Sequence, residues 1–169
     1  MAVVSSAGEG RRAVELGAGI LQLRAPALTA RALEELAGEL VAWSTVPVLV
    51  SSRCDVALAS EAAGVNLPEL DIGIVDARQL LGDRIVGRSV HSIGAAREAE
   101  RDGADFVIFG PVWPSPSHPG RHPQGLEALA AVVRAVRVPV LAIGGMTRDR
   151  ARECLAAGAS GYAAIRMFQ

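Results

Sequence analysis

The segment Val138-Pro-Val-Leu-Ala-Ile-Gly-Gly-Met-Thr147 carries the pattern that decides the fold. An apolar run ends in two glycines, and a threonine then precedes a stretch with the apolar spacing of a helix. The earlier Val46-Pro-Val-Leu49 nearly duplicates its beginning. Threonine at the start of a helix accepts a hydrogen bond from a main-chain N–H group that lacks a partner. The segment therefore predicts a strand, a tight turn and a helix that begins after Thr147.

The same order of strand and helix recurs along the chain. The predicted strands are continuous apolar runs, which is typical of a parallel sheet covered by helices on its outer face. The glycines Gly17, Gly64, Gly103 and Gly158 follow predicted helices, where a left-handed cap favours glycine. Seven strands are predicted in this way, and Ala2-Val-Val-Ser5 would supply an eighth.

This alternation predicts either a (β/α)8 TIM barrel or an open doubly wound sheet. The open sheet has no support from a GxGxxG or Walker A pattern after the first strand. We therefore predict an α/β protein with a (β/α)8 TIM barrel that occupies residues 1–169 as a single domain. Barrels typically need about 200 residues or more. We therefore expect a minimal barrel with a clipped first unit and a missing or vestigial last helix.

Composition and charge argue against several classes of partner. The net charge is −1, from 17 basic and 18 acidic residues without a run of like charges, which argues against nucleic acid or an anionic membrane. No apolar stretch approaches the roughly 20 residues that span a bilayer, and the first residues lack the layout of a signal peptide. Cys54 and Cys154 are far apart and are interpreted as buried hydrophobes in a reducing compartment. A cytoplasmic protein is expected, and an uncovered last strand would favour a homo-oligomer.

The segment Gly110-Pro-Val-Trp-Pro-Ser-Pro-Ser-His-Pro-Gly-Arg-His-Pro-Gln-Gly125, here called the proline loop, follows a predicted buried strand. It holds five of the nine prolines and two of the three histidines, so it can be neither helix nor interior strand. Long loops of this kind are usually functional or disordered. A neutral imidazole near pH 7 suits proton transfer. His118 and His122 are therefore candidate catalytic residues, with simple solvation as the alternative.

In a barrel, the functional site lies at the carboxyl ends of the strands. Gly144-Gly145 would let main-chain N–H groups approach a phosphate, with Arg166 at the next strand end, whereas the alternative is an ordinary tight turn. The other candidates for substrate and phosphate binding are polar residues of the strand ends and the proline loop: Gln22, Arg24, Asn66, Ser89, His91, Ser115 and Ser117. Glu69 and Asp71 carry oxygen ligands for Mg²⁺. We favour a solvated turn at these two residues, and no metal site is predicted.

Seven segments of the chain resemble the thiamine phosphate synthase superfamily, which also contains the TenI-like thiazole tautomerases. In chain order they are Gln22-Leu-Arg24, Val48-Leu-Val-Ser-Ser-Arg53, Gly64-Val-Asn-Leu67, Gly87-Arg-Ser-Val-His-Ser92, Gly110-Pro-Val-Trp-Pro-Ser-Pro-Ser117, Gln124-Gly-Leu126 and Ala142-Ile-Gly-Gly145. The resemblance covers the chain from Gly17 to Ile165. It implies a barrel that binds a thiazole phosphate at the Gly-Gly turn and the last strand end.

Departures from the synthase pattern favour the TenI-like branch. The resemblance implies a pyrophosphate-binding lysine where this chain has Pro26, and a second lysine where it has His118. It also implies an Asn-Asp pair, with one Mg²⁺-binding carboxylate, at Ser51-Ser52, and a histidine at Asn66. Asp71 alone would then remain for the metal. These changes would keep phosphate binding and remove groups that stabilise a departing pyrophosphate.

We therefore expect a thiazole tautomerase of thiamin biosynthesis, an isomerase without a cofactor that moves a proton on a carboxylated thiazole phosphate. His118 or His122 would transfer the proton, and Arg24 would face the substrate carboxylate. The tautomerase pattern has a histidine where this chain has Pro111, so the resemblance does not identify the base. The alternatives are a thiamine phosphate synthase that uses Mg²⁺ in an altered site, and a non-catalytic regulator that binds thiazole phosphate. A phosphosugar isomerase would rest on fold analogy alone.

Overall fold

Eight short parallel strands form a ring in the computed structural model, which describes residues 1–115, 120 and 122–168. In chain order the strands are β1 Ala2–Val4, β2 Leu21–Leu23, β3 Val48–Ser51, β4 Gly64–Leu67, β5 Ile85–Val90, β6 Phe106–Phe109, β7 Val140–Ile143 and β8 Gly161–Ala163. Each strand pairs with the next, and a parallel bridge between Ala2 and Ala164 joins the last strand to the first. The prediction of a (β/α)8 barrel is confirmed.

Within the described residues, seven α-helices alternate with the strands. They are α1 Ala7–Glu15, α2 Ala30–Trp43, α3 Cys54–Ala59, α4 Ile74–Leu81, α5 Ile93–Arg101, α6 Gly125–Ala135 and α7 Arg148–Ala156. The hydroxyls of Ser6, Thr29, Ser92 and Thr147 accept hydrogen bonds from the N–H group three residues further on, at the starts of α1, α2, α5 and α7. These caps fix where the helices begin, and those at Thr29, Ser92 and Thr147 agree with the sequence pattern.

A 3-10 turn at Arg166–Phe168 follows β8 where a full barrel unit would have a helix. Phe168 is buried, and its ring stacks on Tyr162 with 6.5 Å between the ring centroids. The turn also contacts α1, so it covers part of the outer face of the last strand. The homo-oligomer, which was expected because this strand would be uncovered, stays a prediction.

Two apolar clusters form the core, one between the strands and the helices and one inside the barrel. The larger cluster lies between strands and helices and includes Leu21 and Leu23 of β2. The smaller cluster contains Leu49, Phe106 and Ile108. Successive side chains of a strand point to opposite faces, so residues that alternate with the outer cluster point into the barrel.

Gly87 gives the ring of Phe106 room inside the barrel. The two residues are partners in the pairing of β5 with β6, and a Cβ added at Gly87 would lie 2.1 Å from the ring. Phe106 is the first residue of β6, so its ring fills the barrel towards the amino ends of the strands. The carboxyl ends are left for other side chains.

Gly64 has a different role from the predicted helix cap. The left-handed residue after α3 is Glu61, with φ 57°, and Gly64 is the first residue of β4. A Cβ added at Gly64 would lie 1.9 Å from the carbonyl oxygen of Ile85 on β5. Glycine is therefore needed here for the close approach of two strands.

The predicted burial of both cysteines is confirmed, since Cys54 and Cys154 are buried free thiols. Burial raises the pKa of the Cys154 thiol to about 11, which keeps it protonated and unreactive at neutral pH. Among the described residues, no helix has the length and apolar character needed to cross a membrane.

Replacing Gly64 with alanine should lower the free energy of unfolding by more than about 2 kcal/mol, because the new Cβ would displace a strand carbonyl. Gly38→Ala is the matched control, since Gly38 lies inside α2 with open space where a Cβ would go. That control should gain about 0.5–1 kcal/mol from helix propensity. Chemical denaturation of the two variants measures both values, and equal losses would contradict the close approach at Gly64.

Candidate active site

A cavity of about 620 Å³ opens at the carboxyl ends of the strands, where barrel sites are expected. Its lining includes nine of the predicted binding residues: Gln22, Arg24, Asn66, Ser89, His91, Ser115, Gly144, Gly145 and Arg166. The predicted Ser117 and His118 lie outside the described residues. His122 is exposed and does not belong to this lining as far as the structure describes it. The roles of these residues in binding stay predictions.

The floor of the cavity is polar because β2, β4 and β5 each turn one polar side chain inward. Gln22 is 4% exposed and Asn66 is 2% exposed. The Asn66 side-chain amide donates a hydrogen bond from Nδ2 to Oγ of Ser89 at 3.0 Å. Among the described residues, Gln22 Oε1 and Asn66 Oδ1 have no hydrogen-bond donor. A buried acceptor without a donor costs about 1–3 kcal/mol, so a donor from a bound ligand, or a turn of these amides, would stabilise the floor.

The paired-glycine turn between β7 and α7 packs against the start of the proline loop. Gly144 and Gly145 have φ values of 102° and 62°, in the region that favours glycine. A Cβ at Gly144 would lie 2.6 Å from Pro111, and one at Gly145 would lie 2.6 Å from the carbonyl oxygen of Pro114. The turn and the proline loop therefore approach each other more closely than any side chain would allow.

Arg150, in the first turn of α7, is a site residue that the sequence analysis missed. Its Nη1 donates a hydrogen bond to the carbonyl oxygen of Gly145 at 2.7 Å, and its guanidinium lies 5.4 Å from the centre of the Trp113 ring. Arg150 lines the cavity together with Arg24 and Arg166. A cation at a helix amino terminus is disfavoured by the helix dipole. An arginine three residues after the cap at Thr147 was the signal that could have indicated an anion site here.

His91 and Glu69 join two loops at the mouth of the cavity. Glu69 Oε1 accepts a hydrogen bond from the main-chain N–H of His91 at 3.1 Å, and Glu69 Oε2 lies 3.9 Å from His91 Nε2. The other ring nitrogen of His91 contacts the carbonyl oxygen of Gly110, at the start of the proline loop. The imidazole is therefore held between the loop after β4 and the loop after β6.

The mouth has few ligands for a divalent cation. Glu69 and the hydroxyl residue Ser51 line the main cavity, whereas Asp71 lines a second cavity of about 200 Å³. Among the described residues, no three His, Cys, Asp or Glu side chains converge on one point. Mg²⁺ usually keeps several waters and binds through one or two carboxylates and the phosphates of its substrate. The donor set therefore fits Mg²⁺ that arrives with phosphate oxygens and fits poorly an ion held by protein alone.

Ser52, next to Ser51 at this rim, has a φ of 68°, which is uncommon for a residue other than glycine. Its N–H donates a hydrogen bond to the carbonyl oxygen of Asn66 at 3.1 Å. Asparagine and aspartate adopt this conformation most readily among side-chain-bearing residues. The backbone therefore retains a shape suited to the aspartate that the family resemblance implies, although the carboxylate is absent.

Known proteins resemble this chain over most of its length. A thiamine-phosphate synthase from Chlorobium luteolum is 39% identical over 91% of this chain and 75% of its own length. The structure of a thiamine phosphate pyrophosphorylase from Pyrococcus furiosus has a TM-score of 0.87 at 35% identity, covering 97% of this chain and 84% of that one. An N-acetylmannosamine-6-phosphate 2-epimerase from Clostridium perfringens has a TM-score of 0.74 at 16% identity over 99% of this chain and 87% of that one. The last match shows the fold alone.

These relatives correct three expectations. The relatives that share 35% identity or more are named synthases or pyrophosphorylases, so the assignment to the TenI-like tautomerase branch is wrong, and so is the isomerase class. The proton transfer expected of a tautomerase falls with it, whereas a catalytic role of His118 and His122 stays a prediction. The expectation of no cofactor is also overturned, because the resemblance implies Mg²⁺ for a synthase. The tautomerase prediction rested on the lysines and the carboxylate that this chain lacks, whereas Arg150 adds a cation to the cavity lining.

A family model described as thiamine monophosphate synthase matches residues 7–168. The match includes every strand from β2 to β8, the floor residues Gln22 and Asn66, and the paired-glycine turn. The chain therefore belongs to the thiamine monophosphate synthase (TMP-TENI) family.

Proposed function

We propose that the protein is a thiamine-phosphate synthase, which joins a thiazole phosphate to a pyrimidine pyrophosphate and releases pyrophosphate. One observation carries the proposal: the cavity is lined by the paired-glycine turn and arginines on one side and by the amides of Gln22 and Asn66 on its floor. The relatives named thiamine-phosphate synthase support this reaction for a cavity with those two sides. The substrates are small molecules that bear phosphate.

The anion side consists of the paired-glycine turn and the arginines around it. The first N–H groups of a helix have no partners within the helix, and the Thr147 hydroxyl satisfies only that of Arg150. These main-chain groups and the dipole of α7 attract a phosphate. Arg150 and Arg166 add positive charge. This charge would offset the absence of the two lysines that the resemblance implies at Pro26 and His118. Arg24, which also lines the cavity, would add a further positive charge for the second substrate.

The accepting side is the floor around Gln22 and Asn66. A nitrogen heterocycle with an N–H donor would satisfy the two oxygens that lack donors in the free protein. Mg²⁺, when bound, would neutralise negative charge on the departing pyrophosphate. Glu69, which lines the cavity, would hold it through carboxylate oxygen. The protein's own groups orient the two substrates and exclude water from the floor.

Incubation of the protein with the pyrimidine pyrophosphate, the thiazole phosphate and Mg²⁺ should yield thiamine phosphate and pyrophosphate. Chelation of Mg²⁺ should abolish the reaction, and its addition should restore it, because the pyrophosphate charge would otherwise be unscreened. Chromatography of the products measures both results. Saturable binding of thiazole phosphate without any product would instead favour a non-catalytic binding protein.

Gly145→Ala should raise the KM for the thiazole phosphate about tenfold or more, because the new Cβ would displace the turn from the proline loop. Gly17→Ala is the matched control. Gly17 has a similar φ of 86° but open space around it, so its variant should lose stability and keep its KM. Steady-state kinetics and denaturation of both variants separate the two effects. An equal KM in the two variants would remove the turn from the binding site.

Gln22→Met should leave the free energy of unfolding unchanged or raise it by about 1 kcal/mol, because it removes a buried acceptor without a donor. The same change should raise the KM for the pyrimidine pyrophosphate about tenfold, since one hydrogen bond to the ligand is lost. Gln79→Met, at an exposed position of α4, is the control and should change neither value. A less stable Gln22→Met variant with an unchanged KM would mean that Gln22 is purely structural.

A further inference from the structure

Arg88 is a buried cation that lies outside the main cavity. It is 7% exposed and pairs in register with Leu67 of β4 and Val107 of β6, both of which belong to the outer apolar cluster. Burial lowers the pKa of the Arg88 guanidinium, and the carboxylates of Asp71 and Asp102 act in the opposite direction. A buried charge is costly unless its hydrogen-bonding groups have partners. The position therefore requires a specific set of acceptors.

Those acceptors are two carbonyl oxygens of one loop. Arg88 Nη1 donates a hydrogen bond to the carbonyl oxygen of Pro68 at 2.5 Å, and Nη2 donates one to that of Ile72 at 2.5 Å. Pro68 and Ile72 are the two ends of the segment here called the rim loop, residues 68–72, between β4 and α4. The planar guanidinium therefore bridges the two ends of the rim loop and fixes both of them relative to β5, the strand that carries Arg88.

The rim loop carries Glu69, and Glu69 lines the main cavity. Glu69 Oε1 accepts the hydrogen bond from the main-chain N–H of His91, and the His91 ring in turn contacts Gly110 of the proline loop. A continuous series of contacts thus runs from Arg88 through the rim loop to Glu69, His91 and the proline loop. Arg88 does not itself belong to the described lining of the main cavity.

We propose that Arg88 is a positioning residue that holds the rim loop, and through Glu69 and His91 the mouth of the main cavity, in its binding geometry. A lysine would satisfy one of the two carbonyl oxygens, and a methionine would satisfy neither. The inference concerns the geometry of the mouth, so it holds for any phosphate-bearing substrate of this cavity. It therefore does not depend on the synthase reaction.

The test compares Arg88→Met, Arg88→Lys and Arg84→Met with the unaltered protein. Arg84 is the matched control, because its Nη1 also donates a hydrogen bond to a carbonyl oxygen, that of Ala62. Arg84 lies just before the amino end of β5, whereas the cavity opens at the carboxyl ends of the strands. The first measurement is hydrogen exchange at the His91 amide, which Glu69 protects. Arg88→Met should accelerate this exchange about tenfold or more relative to the amides of β5, because the local bond opens without unfolding the sheet. Arg88→Lys should give an intermediate rate, and Arg84→Met should leave it unchanged relative to β5.

The second measurement is the kinetics of product formation with both substrates and Mg²⁺. Arg88→Met should lower kcat/KM about tenfold, with partial recovery in Arg88→Lys, and Arg84→Met should keep the unaltered value. Unchanged exchange at His91 in Arg88→Met would overturn the proposal. Faster amide exchange in Arg88→Met that is equal at His91 and across the sheet would also overturn the proposal, because this result is expected of a residue that only stabilises the fold. If Arg88→Met does not fold, His91 exchange in Arg88→Lys decides in the same way. A protein without synthase activity would contradict the proposed function while leaving the exchange result valid.

Discussion

The packing of the Phe106 ring against the bare backbone of Gly87 is the contact on which the rest of the molecule depends. A ring of eight short strands encloses little space, and this aromatic ring fills it towards the amino ends. The side chains of the next layer can then be polar, because they lie above an apolar plug and below open solvent. Gln22, Asn66 and Ser89 occupy this layer. The depth of the cavity thus follows from an apolar plug in which Gly87 makes room for Phe106 and Leu49 packs in the same cluster.

Above that layer, the mouth is built from loops that touch each other directly. The paired-glycine turn lies against the proline loop, and Arg150 joins them through Gly145 and Trp113. On the opposite side, Glu69 and His91 connect the loop after β4 to the same proline loop. Positive charge lies beside the glycines and carboxylate lies across from them. The mouth is therefore electrically asymmetric.

Local patterns in the sequence were sufficient to predict the barrel and much of its rim. The caps at Thr29, Ser92 and Thr147 and the apolar runs depend on neighbours in the chain, so the sequence contains their full cause. The contacts of Arg150 and Arg88 could not be predicted in this way, because their partners are carbonyl groups brought close only by folding. The tautomerase interpretation failed for the same reason. It rested on residues that are absent at particular positions, whereas charge in a cavity is a property of every residue that lines it.

The two floor amides also bear on which rings the cavity can accept. A ring that presents an amino group would meet the oxygens of Gln22 and Asn66, which lack donors. A ring that presents a carbonyl oxygen would require these amides to turn over, so that their N–H groups face it. Because Asn66 holds Ser89 through Nδ2, that rotation would exchange the atom that meets the Ser89 hydroxyl. Selection between amino and oxo rings would thus depend on how firmly the barrel holds two amides.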